Sequence, residues 1–414
     1  MKILTFVGLC AGGGGLAIAS LTAGLAHVGE YAQQQRGRQL TDLGDCAACH
    51  TAEGGQPFAG GRPIETPFGS IYSPNITPDA ETGIGAWTDD QFYRAMHEGI
   101  AEDGTRLYPA FPYPWFTKVT REDVDAIRAY LLTLPPIRSK RPENTLVWPL
   151  NHSLAMVGWN TLFFRPGTFQ PDSTKSAEWN RGAYLVEGLG HCGACHSPKN
   201  VFGAVKESVR FQGSQVQNWF APNLTADVGS GLGGWSVDDI VRFLKTGHTE
   251  RTLAYGPMSE VVSVSTSKME EADLRAMAEY LKSLPSKAGA PEKATADRGI
   301  SSQGEAIYYD ACSACHQIRG EGVPGLFPAL KGGTMVHARD PSSMIRLVLE
   351  GGRGAWTPQN PNAVSMPSFS WKLSDEQVAA VVTYIRAAWG NAAAPVSADA
   401  VQSLREAVRQ ETAQ

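Results

Sequence analysis

Apolar residues recur at helical three- and four-residue spacing in separate stretches of the chain, and the stretches come in sets. Short helical patterns cover 37–44, 182–190 and 304–310, and amphipathic helices are predicted over 89–98 and 237–245. A further helix closes each set, over 120–134, 267–284 and 374–389. These open on Thr120-Arg-Glu-Asp, Ser267-Lys-Met-Glu and Ser374-Asp-Glu-Gln, a capping hydroxyl with acids in the first turn. The polar stretches repeat too. Pro74-Asn-Ile-Thr-Pro and Pro222-Asn-Leu-Thr-Ala each run into Gly-x-Gly-x-Trp, ending at Trp87 and Trp235. The pattern predicts a mostly α chain built from three tandem copies of one unit.

Composition agrees with that count. The 414 residues suggest about three domains at one per ~150 residues. Hydrophobic residues make up 42% and charged ones 19%, enough apolar material for packed cores and against a disordered chain. The 44 Gly and 26 Pro argue for short elements joined by long ordered loops. A net charge of −5 leaves no basic footprint for nucleic acid.

The ends and joints differ from the repeats. Lys2 is the only charge before Glu30, and 3–26 is a run of apolar and small residues. It suits either a secretory signal or a retained N-terminal membrane anchor, and both put the remainder outside the cytoplasm. We therefore divide the chain into a leader (1–34), unit 1 (35–140), an apolar linker (141–177), unit 2 (178–287), a second linker (288–301), unit 3 (302–391) and a tail (392–414). The first linker carries Trp148, Leu150, Leu154, Met156, Trp159, Leu162, Phe163 and Phe164, which suits a packing strap between units or a contact surface for a partner or membrane. In the tail, Val401, Leu404 and Val408 lie at helical spacing and predict a short amphipathic helix.

The chemistry lies in the cysteines. Cys10 sits in the leader; the other six form Cys46-Ala-Ala-Cys49-His50, Cys192-Gly-Ala-Cys195-His196 and Cys312-Ser-Ala-Cys315-His316. Cys-x-x-Cys-His is the attachment pattern of c-type haem: two cysteines form thioethers with the vinyl groups, and the adjacent His is the proximal iron ligand. Three pentads imply three covalent haems. A thioredoxin-like reading needs an α/β context that the pattern lacks, and a zinc site needs four ligands. Met258, in Gly256-Pro257-Met258, and Met366, in Ser365-Met366-Pro367, stand just before the closing region of units 2 and 3 and are expected as second axial ligands. Unit 1 reads Tyr108-Pro-Ala-Phe111-Pro-Tyr-Pro there, with Phe where Met belongs. Met96 and His97 are the local alternatives, each more suited to a core or surface role. Pro324 is expected to aim a carbonyl at the His316 imidazole. Asn75, Trp87, Asn223 and Trp235 suit either haem propionates or loop capping, and His191 reads as a surface residue.

The three pentads, with Gly182-Ala-Tyr-Leu-Val-Glu, Tyr108-Pro-Ala-Phe-Pro-Tyr and Phe164-Arg-Pro-Gly, resemble the triheme cytochrome c subunit of membrane-bound bacterial dehydrogenases across 35–391. The resemblance implies three class I cytochrome c domains with His50, His196, His316, Met258 and Met366 as iron ligands. It also implies a periplasm-facing catalytic partner, carrying a flavin, a quinone or a molybdenum cofactor. Electrons would pass from that partner through this chain to ubiquinone in the inner membrane, with no catalytic site in the chain itself. Two other functions fit the residues: an anchored shuttle to a terminal oxidase, and a haem enzyme using an open site in unit 1.

Overall fold

The computed structural model describes residues 14–250, 252–286 and 301–412. The start of the leader (1–13) and nearly all of the 288–301 linker lie outside the described residues. Unit 1 comprises α1 (Gly14–Leu43), α2 (Asp89–Glu98) and α3 (Arg121–Leu131). A strap helix, α4 (Ala155–Phe163), leads to unit 2, with α5 (Ala177–Glu187), α6 (Val237–Thr246), α7 (Pro257–Val264) and α8 (Glu271–Ser283). Unit 3 holds α9 (Ser302–Ala311), α10 (Ser342–Glu350) and α11 (Asp375–Ala387), and the tail forms α12 (Ala398–Thr412). Among the described residues no helix is long and apolar enough to cross a membrane.

One contact recurs in all three units. The first helix crosses the last at a glycine pressed on backbone: a Cβ added to Gly37 would stand 1.8 Å from the Ala126 carbonyl oxygen, one on Gly182 1.9 Å from that of Ala276, and one on Gly304 2.3 Å from that of Ala380. Only Gly allows helices this close. The crossing brings Leu185 and Val186 onto Leu274, Met277 and Leu281, all buried, each worth about 1.5–3 kcal/mol of apolar burial.

The cores are not three equal copies. Units 1 and 2 share one continuous apolar core, running from Leu40 and Ile127 through Phe116 to Leu189 and Leu281. Unit 3 has its own core of Tyr308, Ile345, Val382 and Ile385, completed by Val401, Leu404 and Val408 of the tail, as their spacing anticipated. The tail is also pinned by ion pairs, Arg405 to Asp375 at 2.7 Å and Glu411 to Arg346 at 2.5 Å.

Several local expectations change. α1 extends the short helix expected at 37–44 back to residue 14 without a break. Ser267 does not cap the closing helix of unit 2. It lies in a 3-10 turn after α7, bonded to the Ser263 carbonyl, and α8 starts at Glu271 behind an extended Met269. Three antiparallel hairpins, too short and Gly-rich to show an alternating pattern, join the helices: β1 (Pro63–Thr66) with β2 (Gly69–Tyr72), β3 (Gln212–Val216) with β4 (Trp219–Asn223), and β5 (Gly352–Arg353) with β6 (Ser365–Met366). Their use is positional, because β2 delivers Pro74, β4 contains Pro222 and β6 carries Met366.

Candidate haem sites

Each Cys-x-x-Cys-His segment ends in a single helical turn: Cys46–His50, Gly193–His196 and Ser313–His316. In every one the histidine Nδ1 meets a proline carbonyl, Pro74 at 2.8 Å, Pro222 at 2.7 Å and Pro328 at 3.0 Å. A carbonyl only accepts, so Nδ1 carries the proton and donates, and the Nε2 lone pair is left for a metal. Burial lowers the pKa of all three imidazoles, with the proline carbonyl opposing it, which favours the neutral ring that ligation needs. Pro324 does not serve His316: it lies in the turn closed by Val323 and Phe327, and Pro328 supplies the carbonyl. Pro74 and Pro222 stood in plain view as the first residue of the repeated Pro-Asn pair, and that repeat was the signal for their role.

The cysteines are free of disulfides among the described residues. Burial pushes the Cys49 thiol up to about 11, Cys192 to about 12 and Cys312 to about 11. No group of three or more His, Cys, Asp or Glu among the described residues is placed to hold a bare metal ion.

Unit 3 offers the clearest test of fit for a macrocycle. An open, mostly apolar cleft is lined by Cys312, Cys315 and His316, by Met366, and by Leu330, Val336, Leu347 and Val348. Both expected axial residues border it. In unit 2, Met258 near the start of α7 packs against the same apolar core as Cys192 and Ala194. In unit 1 the Phe111 ring meets Phe116 edge-on at 5.4 Å. His97 stacks on Tyr93, with Nδ1 3.2 Å from the Tyr93 hydroxyl and Nε2 3.5 Å from Thr117 Oγ1, so both ring nitrogens have partners. Met96 is buried in the core. Asn75 and Asn223 cap their own loops, each Oδ1 accepting from the backbone two residues on. Trp235 reaches across to Thr334 of unit 3.

The Cys-x-x-Cys-His segments of units 1 and 2 are neighbours. Leu189 packs on Gly44, and Trp115 packs on Gly193 inside the second pentad. Arg210 lies over the Trp115 ring at 4.3 Å and is ion-paired with Glu187. His191 is therefore no surface residue. It is held in a left-handed turn (φ 38°) against Phe116 of unit 1. Arg62 of unit 1 clasps Glu260 of α7 with both guanidinium nitrogens and donates to the Ala48 carbonyl within the first pentad. Asp45, just before Cys46, has a left-handed backbone (φ 53°) and a buried Oδ1 without a hydrogen-bond partner. Nothing in the repeats signalled Arg62, Glu260 or Asp45. On the other side of unit 2, residues Thr252 to Tyr255 form part of the wall of the unit 3 cleft.

The cytochrome c family model matches residues 34–135 and 301–389. The chain is 40% identical over 395 residues to the gluconate 2-dehydrogenase cytochrome c subunit of Pantoea cypripedii, covering 90% of this chain and 89% of that one. The chain belongs to the family of dehydrogenase cytochrome c subunits. This cytochrome is also 40% identical to the cytochrome c subunit of the quinone-dependent alcohol dehydrogenase of Gluconobacter oxydans, over 94% of the chain and 86% of that subunit. It is 44% identical to a much longer subunit of the nicotinate dehydrogenase of Pseudomonas putida, of which it spans 30%. Membership implies covalently bound c-type haem. The middle unit lies outside the two matched stretches, yet it has the same glycine crossing and the same histidine–proline contact as its neighbours.

Proposed function

We propose that this cytochrome carries three c-type haems, attached at Cys46/Cys49, Cys192/Cys195 and Cys312/Cys315, with His50, His196 and His316 as proximal ligands. Met258 and Met366 complete two of the irons. The chain relays electrons from a dehydrogenase catalytic subunit, bearing a flavin, quinone or molybdenum cofactor, to ubiquinone on the periplasmic side of the inner membrane. Each haem, when bound, supplies a one-electron centre whose potential a Met ligand raises. The protein's part is to keep the three imidazoles neutral and oriented, to exclude water from the clefts, and to hold the centres in sequence.

One observation carries the reading: the first two attachment segments pack against each other, and unit 2 forms a wall of the third cleft. A chain with independent beads on linkers would not need a shared core. The names of the relatives, cytochrome subunits of gluconate and alcohol dehydrogenases, support the partner class. To test it, the chain is purified with whatever subunit accompanies it. Intact mass is expected to show three haem additions, and substrate given to the complex is expected to reduce all three before quinone is added. A chain with fewer haems, or haems that substrate fails to reduce, refutes the relay. Unit 1 supports a narrower second reading, an open iron site, because Phe111 cannot ligate and both nitrogens of His97 are engaged. Carbon monoxide binding at one haem of the reduced protein is expected, and no binding at all refutes it.

A further inference from the structure

The strap between units 1 and 2 has two faces. Met156 and Phe164 are buried on unit 1, where Tyr113 donates to Asn160 and Tyr108 to the Leu150 carbonyl. The outward face is apolar and open: Trp148 is 78% exposed, Leu154 80% and Leu162 66%. A loop of unit 2 extends it with Val201 at 82% and Phe202 at 62%. The two pieces are joined, since the Trp159 indole donates to the Phe202 carbonyl at 2.9 Å and Phe163 stacks on the Phe202 ring. The patch is therefore held in shape by both units. A water-facing surface of this kind is unusual for a free protein.

Charge identifies the occupant. In a chain with 41 acidic residues, 144–171 and 188–206, the two segments that build the patch, contain no Asp or Glu. Their only Lys or Arg residues are Arg165, Lys199 and Lys206, all exposed, and Lys140 and Arg141 lie just upstream, beside Arg138, which is ion-paired with Glu81. Exposed Trp, Leu and Phe with cations among them, and with acids (Glu143, Asp172, Glu187 and Glu207) only beyond the ends of the two segments, is the pattern of an interfacial membrane surface, in which the apolar side chains enter the acyl boundary and cations meet anionic headgroups. We infer that this face seats the protein on an anionic lipid bilayer by shallow insertion of Trp148, Leu154, Leu162 and Phe202. The inference rests on the function proposed above only in expecting a membrane beside the chain. It is distinct from the leader, which would tether the chain without fixing which face looks at the lipid.

The test is hydrogen exchange of the full haem-loaded chain with vesicles of phosphatidylglycerol and phosphatidylcholine, without quinone, substrate or partner. Exchange over 147–163 and 199–203 is expected to slow at least about tenfold on anionic vesicles, less on phosphatidylcholine alone, and less at high salt. The double variant Leu154→Ser/Leu162→Ser should lose the protection, and Leu154→Met/Leu162→Met should keep it. Unchanged exchange in α8 and α11 shows that the fold is intact. Vesicles that leave 147–163 unprotected overturn the inference, as does protection produced by the purified dehydrogenase subunit and not by lipid. A chain that reduces quinone yet shows no protection there refutes this surface and leaves the relay standing.

Discussion

Gly182→Ala drives a side chain into the helix crossing of unit 2. The added Cβ would sit 1.9 Å from the Ala276 carbonyl oxygen and 2.5 Å from its carbon. Both are backbone of α8, so no side chain can rotate away, and the helices must part by about 1 Å or more to restore an ordinary contact. Overpacking of this kind costs ~1–3 kcal/mol and sometimes more. The better helix propensity of Ala returns about 1 kcal/mol. The parting also loosens Leu185, Val186, Leu274 and Met277, each almost fully buried, which places the cost at the upper end of that range, a net loss of about 2 kcal/mol. Units 1 and 2 share one core of about 250 residues, for which that loss lowers the melting temperature by roughly 4–8 °C. Hydrogen exchange by mass spectrometry is the suitable assay, because three linked units need not melt as one transition. α5 and α8 should exchange faster while α9 and α11 serve as the internal control. Gly29→Ala, in α1 with nothing within 4 Å of its added Cβ, should be neutral or stabilising. If Gly182→Ala is no worse than Gly29→Ala, the crossing is not what holds the unit.

Other outcomes follow from the same geometry. Asp45 is raised from 3.8 to about 8, by burial first and then by the charge of Glu260, with Arg62 and Lys268 opposing. A carboxyl with a raised folded pKa contributes stability that is full below about 4 and is lost as pH rises through 8. Unit 1 should therefore weaken between those values, by at most about 1.4 kcal/mol per pH unit. Asp45→Asn should flatten that slope, and parallel urea midpoints for both proteins at pH 5 and pH 8 would count against it. Arg62→Ala removes a bidentate but partly exposed pair (side chains 36% and 39% exposed). It should cost only about 1 kcal/mol while raising exchange in α7, and unaltered exchange there would show that the clasp is idle. Arg386 is 1% exposed and donates to the carbonyls of Val336, Ala338 and Ala394. Arg386→Met strands those acceptors at ~1–3 kcal/mol each, so α12 should fray in exchange measurements; a protected α12 refutes this. Met366→Leu should lower the potential of one centre in a redox titration, since a Met ligand raises it, and an unchanged titration removes Met366 from the ligand set.

The mostly helical class and the cytochrome c family were legible in the residues, because the Cys-x-x-Cys-His pattern fixes both residue type and spacing within five positions. Helices α2 and α6 were also readable, since their apolar faces meet a local core and their caps, Thr88 and Ser236, lie within one turn. Pro328 was missed in favour of Pro324, four residues earlier. The choice depends on the turn between Val323 and Phe327 and not on composition.

What the sequence could not state is how the copies meet. Asp45 and His191 occupy matching places before their pentads, in matching left-handed turns, yet one is a buried carboxyl near a clasp and the other a ring packed on Phe116. Units 1 and 2 merge their cores, unit 3 keeps its own and takes the tail as its lid, and the strap shows one apolar face to its unit and the other to the outside. Local sequence determines each unit because its signals, spacing and caps, act over a few residues. The assembly is decided by shape complementarity between surfaces hundreds of residues apart, such as Arg62 and Glu260, and no local pattern encodes that fit.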